Sequence, residues 1–351
     1  MSLTGDDSMV PTPRGVLAVA LIAVLVVSAG CSGLSLGGDS GGGDGGALDS
    51  VPGTADAITY VDVDGIVTSD QHRALANAFF EAAANSSEEY DGPTSVDDAL
   101  ADAQNNTSVD LTKIYEVTIF SSSNQSGEYS AAIVETGLSE SAFIAALERD
   151  QPYNLTEESY NGHTLYVPAE SSEPSDSNYV GVLSDGTFVT GTEAAVKDAI
   201  DTVEGDVDPI SGDVVTAFQN TRDGFIRFAS NVPQDQLPTD SANRSVPINT
   251  QVYETVTLVS GSQYVDGQTV GLAVTMQTES ESAATDVRDA TDGAVSLASA
   301  YVSEESFQNQ LRNVSVTQDG ADVTVRFENS VSSLESVIER LVQLLYATGT
   351  S

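Results

Sequence analysis

Val180-Gly181-Val182-Leu183-Ser184-Asp185-Gly186-Thr187-Phe188-Val189-Thr190, followed at once by Gly191-Thr192-Glu193-Ala194-Ala195-Val196-Lys197-Asp198-Ala199-Ile200, is the stretch whose reading decides the fold. Two apolar, β-branched runs flank Ser184-Asp185-Gly186, the signature of a tight hairpin. Gly186 sits where such a turn needs φ > 0. Thr192 then reads as an N-cap, and Glu193 suits the positive end of a helix dipole. The helix is expected over Glu193 to Val203. A hairpin that feeds directly into a helix makes an antiparallel sheet with helices laid on it, an α+β arrangement.

The same grammar extends in both directions. Ala57 to Val63 reads as a strand, and Gln71 to Ala84 has helical apolar spacing at Leu75, Ala78, Phe79 and Ala82. Ser95-Val96-Asp97-Asp98 starts a second helix with the look of a capping box. Ile114 to Ser121 and Tyr129 to Thr136 form a hairpin, and Ser139 to Arg149 a helix. Tyr160 to Val167 is a further strand, with Gly162 at a second position where a turn favours φ > 0.

The pattern then recurs. Phe225-Ile226-Arg227-Phe228-Ala229 stands where Ile58-Thr59-Tyr60-Val61-Asp62 stood. Val252 to Leu258 matches Ile114 to Phe120, and Glu279-Ser280-Glu281-Ser282-Ala283 parallels Leu138-Ser139-Glu140-Ser141-Ala142. A strand over Thr269 to Thr278, a helix over Ser282 to Ser303, strands over Val314 to Thr317 and Ala321 to Glu328, and a helix over Val331 to Tyr346 complete the second copy. The expected fold is therefore α+β: tandem duplicated units of mostly antiparallel sheet with helices packed on one face. The first unit spans residues 51–208 and carries a helical insert near 70–105; the second spans 209–351. Two unrelated segments that happen to alternate are the competing reading.

The order of the "ITYVDVD" strand, the "GLSESAFIAAL" helix, Tyr160-Asn161-Gly162-His163-Thr164-Leu165-Tyr166 and the hairpin ending in Gly191 to Ile200 resembles a family of exported bacterial and archaeal proteins known only as a domain of unknown function. The resemblance covers residues 57–232, with a weaker echo to the end. Its motifs are structural, so it implies fold and location and no chemistry.

Location is carried by the N-terminal region. Val16 to Val27 is an apolar run of 12 residues, closed by Val27-Ser28-Ala29-Gly30-Cys31. That is too short for a membrane-spanning helix, which needs roughly 20 apolar residues, and has the length of a signal-peptide core. Residues 1–30 read as a signal peptide with a lipobox, and Cys31 as the lipidated N-terminus after cleavage. Translation from Met9 instead of Met1 would remove Asp6 and Asp7, which suit an n-region poorly. A plain membrane anchor with an incidental cysteine, and a pilin-type signal cut after Arg14-Gly15, are the rival readings. Stable anchoring needs two lipid chains on the thiol. Residues 31–50, rich in Gly, Ser and Asp, read as a flexible tether with an r.m.s. span of roughly 25 Å. Cys31 is the one cysteine of the chain, so no intrachain disulfide can form.

The 53 acidic and 12 basic residues give a net charge of −41, and only Lys113 and Lys197 are lysines. Such a surface resembles that of proteins from extremely halophilic archaea. In dilute buffer the charge repels itself, whereas at molar salt the Debye length falls to about 3 Å. With no basic cluster, nucleic-acid binding and electrostatic attachment to anionic lipid are excluded.

Signatures of chemistry are missing: no Gly-x-Ser-x-Gly, no phosphate loop and no His-Glu-x-x-His. His72, at a helix start, reads as solvated, and His163 as a satisfied strand histidine. Asp62 and Asp64, at i and i+2 on a strand, point the same way and could together bind Ca²⁺, but the twelve-residue spacing of a calcium loop is absent and a solvated strand end is the competing reading. The reading is therefore of no catalytic residues, no metal and no cofactor. Asn85, Asn105, Asn106, Asn124, Asn154, Asn243 and Asn313 head N-glycosylation sequons, most of them in expected loops. The expected function is a non-enzymatic, lipid-anchored protein on the extracellular face of the cytoplasmic membrane, with a binding or envelope role. Its partner is the membrane through the lipid on Cys31, with a protein or small ligand unspecified. The alternative is a ligand-capturing lipoprotein of a transport system, although such proteins usually have parallel-sheet lobes.

Overall fold

A computed structural model describes residues 48–86, 92–107, 110–123, 129–150, 154–169, 178–233, 250–301 and 305–348. The signal segment, Cys31, nearly all of the tether, Asn124 and Asn243 lie outside the described residues. Leu48 and Val51 are buried, and an antiparallel bridge joins Pro52 to Pro209.

Twelve strands form one antiparallel sheet. In chain order they are β1 (Ala57–Asp62), β2 (Ile114–Ser121), β3 (Ser130–Thr136), β4 (Leu155–Tyr160), β5 (His163–Pro168), β6 (Tyr179–Ser184), β7 (Thr187–Gly191), β8 (Ile226–Asn231), β9 (Val256–Asp266), β10 (Thr269–Thr278), β11 (Val314–Asp319) and β12 (Asp322–Ser330). Their spatial order is β11-β12-β10-β9-β8-β1-β2-β3-β7-β6-β5-β4. The helices are α1 (Val63–Thr68), α2 (Asp70–Ser86), α3 (Val96–Thr107), α4 (Glu140–Asp150), α5 (Glu193–Glu204), α6 (Asp213–Gln219), α7 (Glu281–Tyr301), α8 (Glu305–Leu311) and α9 (Val331–Thr348). The fold is α+β, and its sheet repeats. From the central β1–β8 pair, β2-β3-β7-β6 run outward one way and β9-β10-β12-β11 the other. Tyr60 of β1 lies directly opposite Arg227 of β8, the residue that holds its place in the second copy. The Asp185-Gly186 turn has its counterpart in Asp319-Gly320, where Gly186 and Gly320 both have positive φ. The β4–β5 hairpin is an addition to the first copy.

The expectation that helices pack on one face is corrected by the strands themselves. Ile133 and Val134 are consecutive in β3, so their side chains leave opposite faces of the sheet. Ile133 packs in the core that contains Ala195, Val196, Ala199 and Ile200 of α5. Val134 packs with Phe143 and Ile144 of α4. Phe188 and Val189 of β7 divide in the same way. We call these the α5 face and the α4 face. A strand buried on both sides has no period-2 signal and reads as continuous apolar residues. The hairpin over 179–191 therefore gave no hint of which face its helix would take.

In the second copy α7, with Ala284 and Val287, packs on the α4 face against Val323, Met276 and Val316. The last helix, α9, lies on that face too: Val331 and Leu334 meet Val270, Val265 and Phe327, along with Leu75 of α2. Val342 of α9 packs on Ala82 and Ala83 of α2. The counterpart position of α5, on the other face, is not taken by α9. The inserted helix α2 supplies the apolar partner that holds α9 on the opposite side.

Several local expectations change. Leu155 to Tyr160 is a strand that sequence pattern misses, because four of its six residues are exposed and polar. Tyr160 to Val167 is consequently a hairpin turned at Asn161 and Gly162 (φ 46° and 88°), a pair of left-handed residues typical of a type I′ turn. Thr250–Thr255 is a 3-10 helix, so only the end of the expected Val252 to Leu258 strand is extended. Thr192 makes no side-chain cap to α5; its hydroxyl bonds the backbone of Ser130 instead, 3.4 Å away. The Ser95 cap of α3 does form, accepting from the Asp98 N–H at 3.1 Å. Gly205, left-handed at φ 82°, ends α5, with its own N–H on the Thr202 carbonyl and that of Asp206 on Asp201.

Candidate interaction face

The strands β10, β12 and β11 alternate strictly. Val270, Val274 and Met276, Val323, Val325 and Phe327, and Val314 and Val316 point to the α4 face, where α7 and α9 cover much of the row. Between them Ala273 and Thr275, Thr324, Arg326 and Glu328, and Ser315 and Thr317 point the other way, as the register fixes. Ser315, Thr317, Arg326 and Glu328 are exposed. No large apolar side chain stands among them. The Thr275 and Thr324 hydroxyls meet across the strands at 3.0 Å, a polar rung of the kind that steadies neighbouring strands.

The inner border of this bare face is built by α6 and the turn after it. Arg227, only 2% exposed, donates from Nη2 to the Phe218 carbonyl (3.0 Å) and from Nε to Thr221 Oγ1 (3.0 Å), and its guanidinium lies 4.6 Å from the Phe218 ring. A cation at the last carbonyls of a helix complements its dipole. Arg227 thus clamps α6 over the buried Ser260 and Ser262 of β9. Next to it Arg222 lies 3.8 Å over the Tyr264 ring and pairs with Asp266 at 2.9 Å and Glu328 at 3.6 Å. Tyr264 donates to Glu328 at 2.6 Å, and burial, with that carboxylate, raises its pKa. Arg326 has no ion pair or side-chain hydrogen bond among the described residues. Lys113, Arg149 and Arg312 are likewise exposed without a carboxylate partner among the described residues, so what sets Arg326 apart is its place on this face.

The sequence-selected residues sit elsewhere. His72 is buried, at 3% exposure, which corrects the solvated reading. Its ring stands edge-on to Phe225, 4.7 Å between centroids, and its Nε2 meets Gln263 Nε2 at 3.2 Å. Burial lowers its pKa to about 4. The amphipathic phase of α2 turns this histidine inward beside Leu75, and its polarity masked that in the sequence. His163 is satisfied as expected: Nδ1 meets the Val182 carbonyl and Nε2 meets Glu204 Oε1, each at 2.8 Å. Partial burial pulls its pKa down, but the Glu204 and Val182 bonds outweigh that and the net shift is upward. The two histidines lie on different faces of different strands and helices and form no joint site.

Asp62 and Asp64 do not share a strand face. Asp62 ends β1 and caps α1, accepting from the Gly65 N–H at 2.5 Å, while Asp64 is in the first turn of the helix. Asp62, Glu116 and Glu135 instead form a row across β1, β2 and β3 beside the buried Tyr60. Burial and the neighbouring Glu116 raise the pKa of Asp62 and of Glu135, the former despite the Gly65 N–H. Among the described residues no group of three His, Cys, Asp or Glu is arranged to hold a metal ion. Of the sequons, Asn154 and Asn313 are exposed in loops, Asn85 is exposed in the last turn of α2, and Asn105 and Asn106 fall in the last turn of α3. Three of the five described sequons are thus helical, against the expectation of loops. No described helix is long and apolar enough to cross a membrane.

No family model matches this chain, and no curated protein matches it. Two solved structures of TP0453 are similar to it. Crystal form III is 10% identical over 84% of this chain and 97% of the other, with a TM-score of 0.44. Crystal form IV is 11% identical over 83% of this chain and 96% of the other, with the same score.

Proposed function

We propose that this is a lipid-anchored, non-enzymatic binding protein on the outer face of the cytoplasmic membrane of a halophile. The Val16–Cys31 stretch supports the anchor, and the acidic, lysine-poor composition supports the habitat. The bare β10–β12–β11 face carries the binding reading. A protein partner buries an apolar, aromatic-rich centre, which this face does not offer. Its hydroxyls and the unpaired Arg326 instead suit a hydroxyl-rich polymer bearing carboxylates, an acidic envelope glycan. At molar salt the screening length of about 3 Å removes the long-range repulsion between such a polymer and the acidic protein. The continuous β1–β8 ladder joins the two copies without a hinge, so capture of a solute between two lobes is the weaker reading.

The test of binding is co-sedimentation with polygalacturonate in molar salt, with neutral dextran as the control. Retention by the acidic polymer that falls about tenfold in Arg326→Ala, about the weight of one charge-assisted hydrogen bond, is the expected result. Equal retention of wild type and variant, or none of either, would overturn the reading. The anchor is tested separately: Cys31→Ser should appear in the medium or as an uncleaved precursor. Normal processing and membrane retention of that variant would contradict the lipobox.

A further inference from the structure

We propose that Asn161 is a site of spontaneous deamidation that acts as a one-way latch on the outer edge of the sheet. The β4–β5 hairpin has six cross-strand pairs of its own, yet β5 is joined to β6 by only two, Leu165 with Gly181 and Tyr166 with Val180. Its tip is held mostly by side chains. Asn161 Nδ2 donates to Asp201 Oδ1 at 3.0 Å and to Asp206 Oδ2 at 2.9 Å. Tyr160 donates to Asp201 Oδ2 at 2.8 Å, and His163 meets Glu204. All three acceptors sit on α5 or just after its C-terminal Gly205.

The chemistry follows from the dipeptide. Gly162 has no side chain to shield its nitrogen, and Asn161 and Gly162 are both exposed. The Gly162 nitrogen can attack the Asn161 side-chain carbonyl carbon, forming a ring N–C bond. The Nδ2 nitrogen leaves as ammonia, taking the Gly162 proton. Water then opens the succinimide to aspartate or isoaspartate. While the latch is closed, both hydrogens of the leaving amide are held by Asp201 and Asp206, and the turn residues are fixed in left-handed geometry. Opening of the tip frees them. The product is a carboxylate facing two carboxylates. It has no hydrogen to donate and repels both acceptors, so the latch cannot close again. The edge hairpin then remains detached from α5.

The test uses the purified full chain kept folded in molar salt at mildly alkaline pH. Peptide mapping follows amide-to-acid conversion and isoaspartate at residue 161. Conversion severalfold faster in Asp206→Ala than in wild type, with both still folded by circular dichroism, is expected. Hydrogen exchange of Asn161→Asp should lose protection over Leu155–Pro168 and keep it in β2 and β3. Asn161→Gly preserves the turn without adding charge, so it should lose less protection than Asn161→Asp. Equal conversion rates in wild type and Asp206→Ala, or full protection of the hairpin in Asn161→Asp, would overturn the proposal.

Discussion

The two copies of the sheet share a strand order and differ in what covers them. In the first, β3 and β7 are buried on both faces, under α5 on one side and α4 on the other. In the second, β10, β12 and β11 have helices on one face alone among the described residues. The difference traces to where the last helix of each copy goes. After Gly191, α5 turns onto one face and fills it with Ala195, Val196, Ala199 and Ile200. After Ser330, α9 turns onto the other, where the inserted α2 offers Leu75, Ala82 and Ala83. A repeated strand order therefore fixes the ladder but not the layers, and α2 of the first copy packs against the last helix of the second.

The contrast makes its largest prediction for a carboxylate placed on the α5 face. Val189→Asp puts an unpaired charge at a fully buried position and should cost more than about 4 kcal/mol, enough to unfold the protein. Thr324→Asp, on the same face of the second copy, loses the rung with Thr275 and should cost about 1 kcal/mol. Urea unfolding in molar salt reads both, and similar losses at the two sites would erase the distinction.

Next in size is the effect of acid where α2 meets the second copy. The His72 imidazole is held neutral, with its pKa lowered from 6.5 to about 4. The unfolded chain then binds the extra proton between these values, so stability is complete above pH 6.5 and falls as the pH drops toward 4. The full loss is about 3 kcal/mol. Asp62 and Glu135, with raised pKa values, act in the opposite sense as they protonate. The clean readout is the difference between wild type and His72→Gln across this range. A variant with the same acid sensitivity as wild type would show that the buried histidine is not responsible.

A smaller effect belongs to the ties that hold helices to the first copy. With two lysines in the chain, tyrosine hydroxyls take over as donors to carboxylates: Tyr129 to Asp198 at 2.8 Å, Tyr160 to Asp201, and Tyr166 to Glu140 at 2.6 Å. The Glu140 bond and partial burial raise the Tyr166 pKa to about 12. These bonds involve one charge each, so salt screens them less than ion pairs. Tyr166→Phe should cost about 1 kcal/mol, equally at low and high salt. A loss that vanished in molar salt would mark the tie as electrostatic instead.

Much of this was legible in the chain. The hairpin at Asp185-Gly186, the strand over 269–278, the helices from Glu193 and Val331, and the equivalence of Tyr60 and Arg227 in the two copies all follow from period, turn residues and repetition. The bare face was not read from the sequence: the alternation of Val314 to Phe327 marks strands with one buried side, and only the assembled sheet shows which side lacks helices among the described residues. Leu155 to Tyr160 was hidden because an exposed edge strand in an acidic protein has no apolar face to display. The side taken by α5 or α9 was hidden because tertiary packing, and no local signal, selects it.

The bare face is tested most directly by thiol labelling in a Cys31→Ser background, where any introduced cysteine is the only one. Arg326→Cys should react with a maleimide in the folded protein about as fast as in urea, whereas Val189→Cys should react only after unfolding. Protection of Arg326→Cys to the same degree as Val189→Cys would contradict an open face in the second copy.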